Sequence, residues 1–124
     1  MKKWIAVILA MFLACTACFA FAEEDADAIV DRGNEALAAE DYATALELYT
    51  KAADLGNARG LNDLGWLYQK GFGVEQDYEK AADWFHKAVE MGETSEGQIN
   101  YDKLIEEGKI PADYVPKDIT FEAK

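Results

Sequence analysis

The sequence is poor in the side chains that most often carry chemistry. It contains two cysteines, Cys15 and Cys18, one histidine, His86, and one serine, Ser95. Both cysteines lie near the amino terminus, so the remainder of the chain has no disulfide available and must be stabilised by packing. A zinc site or a Cys/His catalytic pair needs more of these side chains than residues 23–124 contain. The sequence therefore predicts no catalytic residue, no metal site and no cofactor.

Two short motifs that could suggest ligand chemistry are incomplete. The glycines around residues 71–73 lack the lysine–threonine pair and the preceding strand of a phosphate-binding loop. The acidic residues at 23–27 lack the glycine turn and the terminal glutamate of a calcium loop. Carboxylates are abundant elsewhere, but none lies in a motif typical of a general acid or base. We expect a protein that is not an enzyme.

Positive charge is also scarce. The sequence contains 12 Lys and Arg residues and 24 Asp and Glu residues, which gives a formal net charge of −12. Binding to phosphate backbones or anionic lipid requires clustered Lys and Arg. The composition therefore predicts no nucleic-acid partner.

The first 22 residues have the features of a signal peptide. Lys2 and Lys3 precede an apolar run at residues 4–13, and the sequence AFA at 20–22 is typical of a cleavage site. Cleavage there would change the formal charge from −12 to −14 and predicts a periplasmic or secreted protein. Residues 4–22 are also long enough to remain as an uncleaved anchor. A lipoprotein modified at Cys15 or Cys18 is a less favoured alternative, and membrane contact is expected only in these two cases.

An internal repeat organises the rest of the chain. Residues 41–56 (DYATALELYTKAADLG) align with residues 77–92 (DYEKAADWFHKAVEMG) at a shift of 36 positions. A fixed period of this length indicates a helical repeat protein. Apolar spacing predicts helices over about 26–39, 42–55, 58–70 and 78–91. We expect Asp41, Asn57 and Asp77 to cap three of them, and Gly33 and Gly65 to permit close approach of a neighbouring helix.

The residues of the second unit carry a specific resemblance to a known family. It resembles a Sel1-like repeat at Leu64, Gly65, Tyr68, Gly71, Gly73, Val74, Asp77, Tyr78, Lys80, Ala81, Trp84, Phe85, Lys87, Ala88 and Gly92. The first unit resembles the related tetratricopeptide repeat at Gly33, Ala45, Tyr49 and Ala52. The resemblance implies an all-α, short right-handed α-solenoid of helix–turn–helix units over about 26–56 and 57–92. It also implies a module that binds a protein or peptide.

A third unit over 93–114 begins but is degenerate. Residues 95–98 (SEGQ) match a capping box, so we expect a capping helix over about 95–107 that covers the end of the stack. Pro116 then prevents another helix. The predicted repeat domain is therefore 23–114. Residues 115–124 form an extended tail that we expect to dock in part through Ile119 and Phe121.

One stripe of the third helix is predicted to form a peptide-binding groove. In this family the first helix of each unit lines the inner surface, which would place Asp27, Val30, Asn34 and Leu37 beside the stripe and Lys70 at its edge. Trp66 would anchor a peptide and Arg59 would select partners that carry carboxylates. In the alternative interpretation, Trp66 packs between units or under the tail. The stripe consists of Arg59, Asn62, Trp66 and Gln69.

These features together predict an exported interaction adaptor of the bacterial envelope. Two alternatives remain open from the sequence. One is a peptidoglycan-associated protein, either a binder or a hydrolase-like member of the family, which would need a pocket with paired acidic or nucleophilic residues. The other is a structural subunit of an envelope assembly.

Overall fold

The computed structural model describes residues 24–92 and 95–119, and within these ranges it contains five helices and no strand. The predicted signal peptide and Phe121 lie outside the described residues. In the described part of the chain, no helix is both long and apolar enough to cross a bilayer. The helices are α1 (Ala26–Ala38), α2 (Tyr42–Asp54), α3 (Ala58–Lys70), α4 (Tyr78–Glu90) and α5 (Glu96–Glu106).

The helices pack in chain order. Each contacts the next, and α1 also touches α3. Helices α1 and α2 form one hairpin and α3 and α4 form the next, so consecutive hairpins stack along one direction. The predicted all-α solenoid is confirmed.

The helix starts follow the predicted capping residues. The side chains of Asp41, Asn57 and Asp77 accept hydrogen bonds from the backbone N–H groups three residues further on, at 3.3, 3.0 and 3.0 Å. Each such cap is worth about 1 kcal/mol. The predicted capping box at the start of α5 is wrong. Ser95 has helical backbone angles and makes no cap hydrogen bond, and the Gln98 amide instead donates to Asp102 at 2.8 Å.

Two glycines bring the helices of each hairpin together, as predicted. A Cβ at Gly33 would lie 2.6 Å from a ring carbon of Tyr49, and a Cβ at Gly65 would lie 2.6 Å from a ring carbon of Phe85. Real Cβ atoms do not approach other atoms so closely. Both rings are almost fully buried. The same glycine–ring contact is therefore repeated in the two units and fixes the spacing inside each hairpin.

The core has two parts that meet at α3. The first gathers apolar residues of α1, α2 and α3 with Trp84 and Ala88 of α4. The second contains Phe85 and its neighbours on α4 together with Leu104 and Ile110. Trp66 packs against both parts. The side chain that was predicted to anchor a peptide therefore also joins the two units.

The segment after α5 returns along α4. The Tyr114 hydroxyl and the Lys117 backbone N–H both donate to the buried Asp83 carboxylate, at 2.8 and 2.9 Å. Lys87 forms an ion pair with Asp118 at 3.3 Å, and Ile119 packs against the first part of the core. The described part of the tail therefore lies along α4.

Candidate functional site: the groove of α1, α3 and α5

The first helices of the two units and α5 enclose a concave groove of about 450 Å³. Helices α1, α3 and α5 supply all but one of the residues that line it. The exception is Tyr49 of α2. The lining residues, called the groove below, are Asn34, Leu37, Tyr49, Asn62, Asp63, Trp66, Glu96, Ile99 and Asn100.

Hydrogen bonds between side chains hold three amides of the groove in place. The Tyr49 hydroxyl donates to Asn34 Oδ1 at 2.6 Å and ties α2 to α1. The Asn100 amide donates to Asn62 Oδ1 at 3.1 Å and ties α5 to α3. Asn62 is only 6% exposed although it lines the groove. Among the described residues, no acceptor takes a hydrogen bond from the Asn62 amide N–H₂, so these donors are available to a ligand.

Trp66 is half-buried and lines the groove. Its ring meets the Phe72 ring edge-on, with centroids 5.4 Å apart. Lys70 Nζ lies 5.8 Å from the Trp66 ring centroid. Contacts with both parts of the core restrict the ring. Trp66 therefore has both roles considered from the sequence, because it lines the groove and packs between the units.

Asp63 is a feature of the groove that the sequence analysis missed. Burial raises the pKa of its carboxyl to about 6. The Arg59 guanidinium acts in the opposite direction, and Glu96 adds to the rise in pKa. A strongly perturbed carboxyl in a cleft is a common sign of a functional site. The spacing of Asp63 and Trp66, one helical turn apart, is the only sequence signal that could have pointed to it.

The structure brings together three of the six residues predicted for the peptide-binding surface. Asn34, Asn62 and Trp66 line the groove, whereas Arg59, Gln69 and Lys70 do not. Arg59 lies at the beginning of α3 and Gln69 and Lys70 lie at its end, so they fall outside the middle of the helix, which lines the groove.

Two other sequence-based expectations about this surface need correction. Arg59 is exposed and forms ion pairs with Asp31 at 3.5 Å and Asp27 at 3.9 Å. The Arg59 guanidinium therefore interacts with carboxylates of α1. Val30, predicted to face the groove, is fully buried in the core. Helix α1 buries two adjacent positions, Ile29 and Val30, so Val30 is not available to the groove.

Titratable side chains outside the groove are dispersed over the described part of the chain. In residues 24–92 and 95–119, no three His, Cys, Asp or Glu side chains are grouped so as to hold a metal ion. His86 is exposed on α4, where its ring nitrogen lies 3.9 Å from a Glu90 carboxylate oxygen.

The stacked hairpins and their concave inner surface define an α-solenoid with a groove of peptide dimensions. The sequence model of the Sel1 repeat matches residues 32–57 and 58–93, which correspond to the two hairpins. The chain belongs to the Sel1 repeat family. Repeats of this family typically mediate protein–protein interactions and are generally not catalytic.

One relative illustrates how such repeats occur in a larger protein. The chain is 34% identical over 71 residues to the ERAD-associated E3 ubiquitin-protein ligase component HRD3 of Candida glabrata. The similarity covers 57% of this chain but only 8% of that protein. The chain therefore spans only a small part of the length of that relative.

Proposed function

We propose that this protein is a non-enzymatic adaptor that binds a short segment of a protein partner in the groove. The observation that carries the proposal is Trp66, a half-buried side chain in the lining of a concave surface built mainly from three helices. Large aromatic side chains in such positions are frequent hot spots of binding energy. A volume of about 450 Å³ is within the range of pockets that hold small ligands or a few peptide residues.

The chemistry of the groove suits a peptide. Leu37 and Ile99 offer apolar contact in addition to Trp66, and the Asn62 amide offers hydrogen-bond donors to a backbone carbonyl. Asn34 and Asn62 are already held by Tyr49 and Asn100. A preordered surface loses less side-chain entropy when a partner binds.

The proposal is tested by replacing Trp66. The mature protein would be immobilised and its captured periplasmic proteins quantified by mass spectrometry. We expect Trp66→Ala to reduce capture of specific partners at least about tenfold, since a hot-spot truncation costs roughly 2 kcal/mol or more. Tyr78→Ala is the matched control, because Tyr78 is a half-buried ring on α4 that does not line the groove.

Folding has to be separated from binding in this experiment. Trp66→Ala also removes core contacts, so Leu37→Lys provides a second variant that changes the groove from α1. Circular dichroism follows the helical content of each variant. Full capture by a folded Leu37→Lys variant, or equal losses in Trp66→Ala and Tyr78→Ala, would refute a binding role for the groove.

We further propose that the adaptor acts in the bacterial envelope after export and cleavage following Ala22. The charged start, the apolar run and the AFA sequence at 20–22 support this location. We expect the exported protein to begin at Glu23 when its amino terminus is sequenced. A chain that begins at Met1 or at a lipidated Cys18 would contradict the proposal.

The hydrolase-like alternative also has an observation in its favour, because Asp63 and Glu96 line the same groove. Paired carboxylates are the usual machinery of glycoside hydrolysis. The generally non-catalytic character of Sel1 repeats favours binding. Release of soluble sugar fragments from purified peptidoglycan by the mature protein, lost in Asp63→Asn, would reverse this preference.

A further inference from the structure

We propose that the groove selects partner segments that present a lysine or arginine side chain, which the carboxylates of Asp63 and Glu96 receive. This inference rests on the proposed function and specifies the chemistry of the partner. It replaces the sequence-based expectation that Arg59 selects a partner that carries carboxylates.

The charges of the groove are all of one sign. Asp63 of α3 and Glu96 of α5 are its two charged lining residues, and both are acidic. The other polar groups of the lining are the three asparagine amides and the Tyr49 hydroxyl, which can solvate a cation but cannot neutralise a carboxylate. A cationic side chain is therefore the ligand group that matches the groove in charge.

Arg59 does not fill this role from within the protein. It lies one helical turn before Asp63 and attracts that carboxyl, but its guanidinium forms ion pairs with Asp27 and Asp31 of α1. Burial outweighs its influence, because the pKa of Asp63 is raised, not lowered. Among the described residues, no cation therefore fully compensates for the burial of the Asp63 carboxylate.

The apolar part of the groove suits the rest of a lysine or arginine side chain. Long cationic side chains bury their methylene stems against apolar surface while the charged end reaches polar groups. Leu37, Trp66 and Ile99 provide that surface next to Asp63 and Glu96. The face of an indole ring also attracts cations. Asn62, nine-tenths buried and with its amide donors unused among the described residues, can bind the backbone carbonyl beside the cationic residue.

A positional-scanning library of immobilised hexapeptides with blocked termini provides the test. Each sublibrary fixes one residue at one position, and binding of fluorescently labelled mature protein is measured at pH 7.5. We expect the lysine or arginine sublibraries at one position to bind about tenfold more protein than norleucine at that position, as is typical of a charge-assisted hydrogen bond in a partly buried site. Sublibraries that fix glutamate there should bind least.

Charge-matched variants separate the groove from the overall field of an acidic protein. Asp63→Asn and, independently, Glu96→Gln should each reduce the preference for lysine over norleucine to about twofold or less. Asp54→Asn removes the same charge from the exposed end of α2 and should leave the preference intact. An equal reduction in Asp54→Asn would overturn the proposal, because the preference would then reflect net charge alone.

The remaining outcomes distinguish failure of this inference from failure of the proposed function. If binding depends on Trp66 but lysine, norleucine and glutamate sublibraries bind equally, the groove binds peptides and selection of a cation is wrong. If no sublibrary binds more of the parent protein than of Trp66→Ala, the proposed peptide-binding function itself is wrong.

Discussion

Phe85→Ala should lower the free energy of unfolding by about 3–5 kcal/mol, the usual effect of truncating a fully buried phenylalanine. Phe85 has no exposed surface, and its ring lies so close to Gly65 that a Cβ there would clash with it. It belongs to the same part of the core as Leu104 of α5. Small domains have total stabilities of about 5–15 kcal/mol. The variant should therefore lose a large fraction of its stability, and loosen the contact of α5 with α4.

Urea denaturation followed by far-ultraviolet circular dichroism measures this effect. Leu55→Ala is the control, because Leu55 is 56% exposed at the end of α2, and we expect a change within about 0.5 kcal/mol. The repeat-based packing scheme would be wrong if Phe85→Ala unfolded at the same urea concentration as the parent.

Asp63→Asn should instead stabilise the protein at pH 7.5, by up to about 3 kcal/mol. The pKa of Asp63 rises from 3.8 to about 6 on folding, and each unit corresponds to about 1.4 kcal/mol. Between pH 4 and 6 the folded state holds a proton on Asp63 that the unfolded state has already released. The contribution of Asp63 to stability therefore falls as pH rises through this window, and is at its lowest above pH 6.

The variant removes this dependence because an amide does not titrate. The charged or titratable groups that act on Asp63 are Arg59 on its own helix, Glu96 on α5 and Tyr49 on α2. Melting temperatures at pH 4.0, 5.0, 6.0 and 7.5 would show the difference between parent and variant growing with pH. Asp54→Asn should follow the parent, and parallel curves for parent and Asp63→Asn would contradict the assignment.

A carboxylate that weakens the fold at neutral pH calls for a functional explanation. Stabilising substitutions commonly impair function where a site needs a strained or poorly solvated group. We expect Asp63→Asn to gain stability and to lose the preference for cationic peptides together. This combination distinguishes a binding residue from one that only maintains the structure, since loss of a structural residue would lower both properties.

The solenoid could be predicted because local signals and the repeat agreed with each other. Asp41, Asn57 and Asp77 are side chains whose capping role depends on the next three residues alone. Gly33 and Gly65 recur at equivalent places in the two units, and their contacts with Tyr49 and Phe85 follow from that repetition. These features need no knowledge of distant parts of the chain.

The groove was only partly predictable because it depends on how helices from different units meet. Glu96 and Asn100 of α5 line the groove. Because the third unit is degenerate, the repeat could not be used to align α5 with the helices of the first two units. In the sequence, Asp63 resembles any exposed helical carboxylate, and its burial arises only in the folded chain. Arg59 was assigned to the groove from helical spacing alone. Spacing within one helix takes no account of Asp27 and Asp31 on α1, with which Arg59 forms ion pairs.

The occupant of the groove can be located directly with a photoreactive residue. Benzoylphenylalanine in place of Leu37 would lie in the groove, and in place of Glu79 it would lie on the exposed side of α4. After irradiation of the mature protein with its partners, mass spectrometry identifies the crosslinked peptides. We predict crosslinks from position 37 to a lysine- or arginine-containing segment of a partner, and few from position 79. Partner crosslinks mainly from position 79, or crosslinks from position 37 only to this chain's own tail, would contradict the central claim that the groove binds a partner.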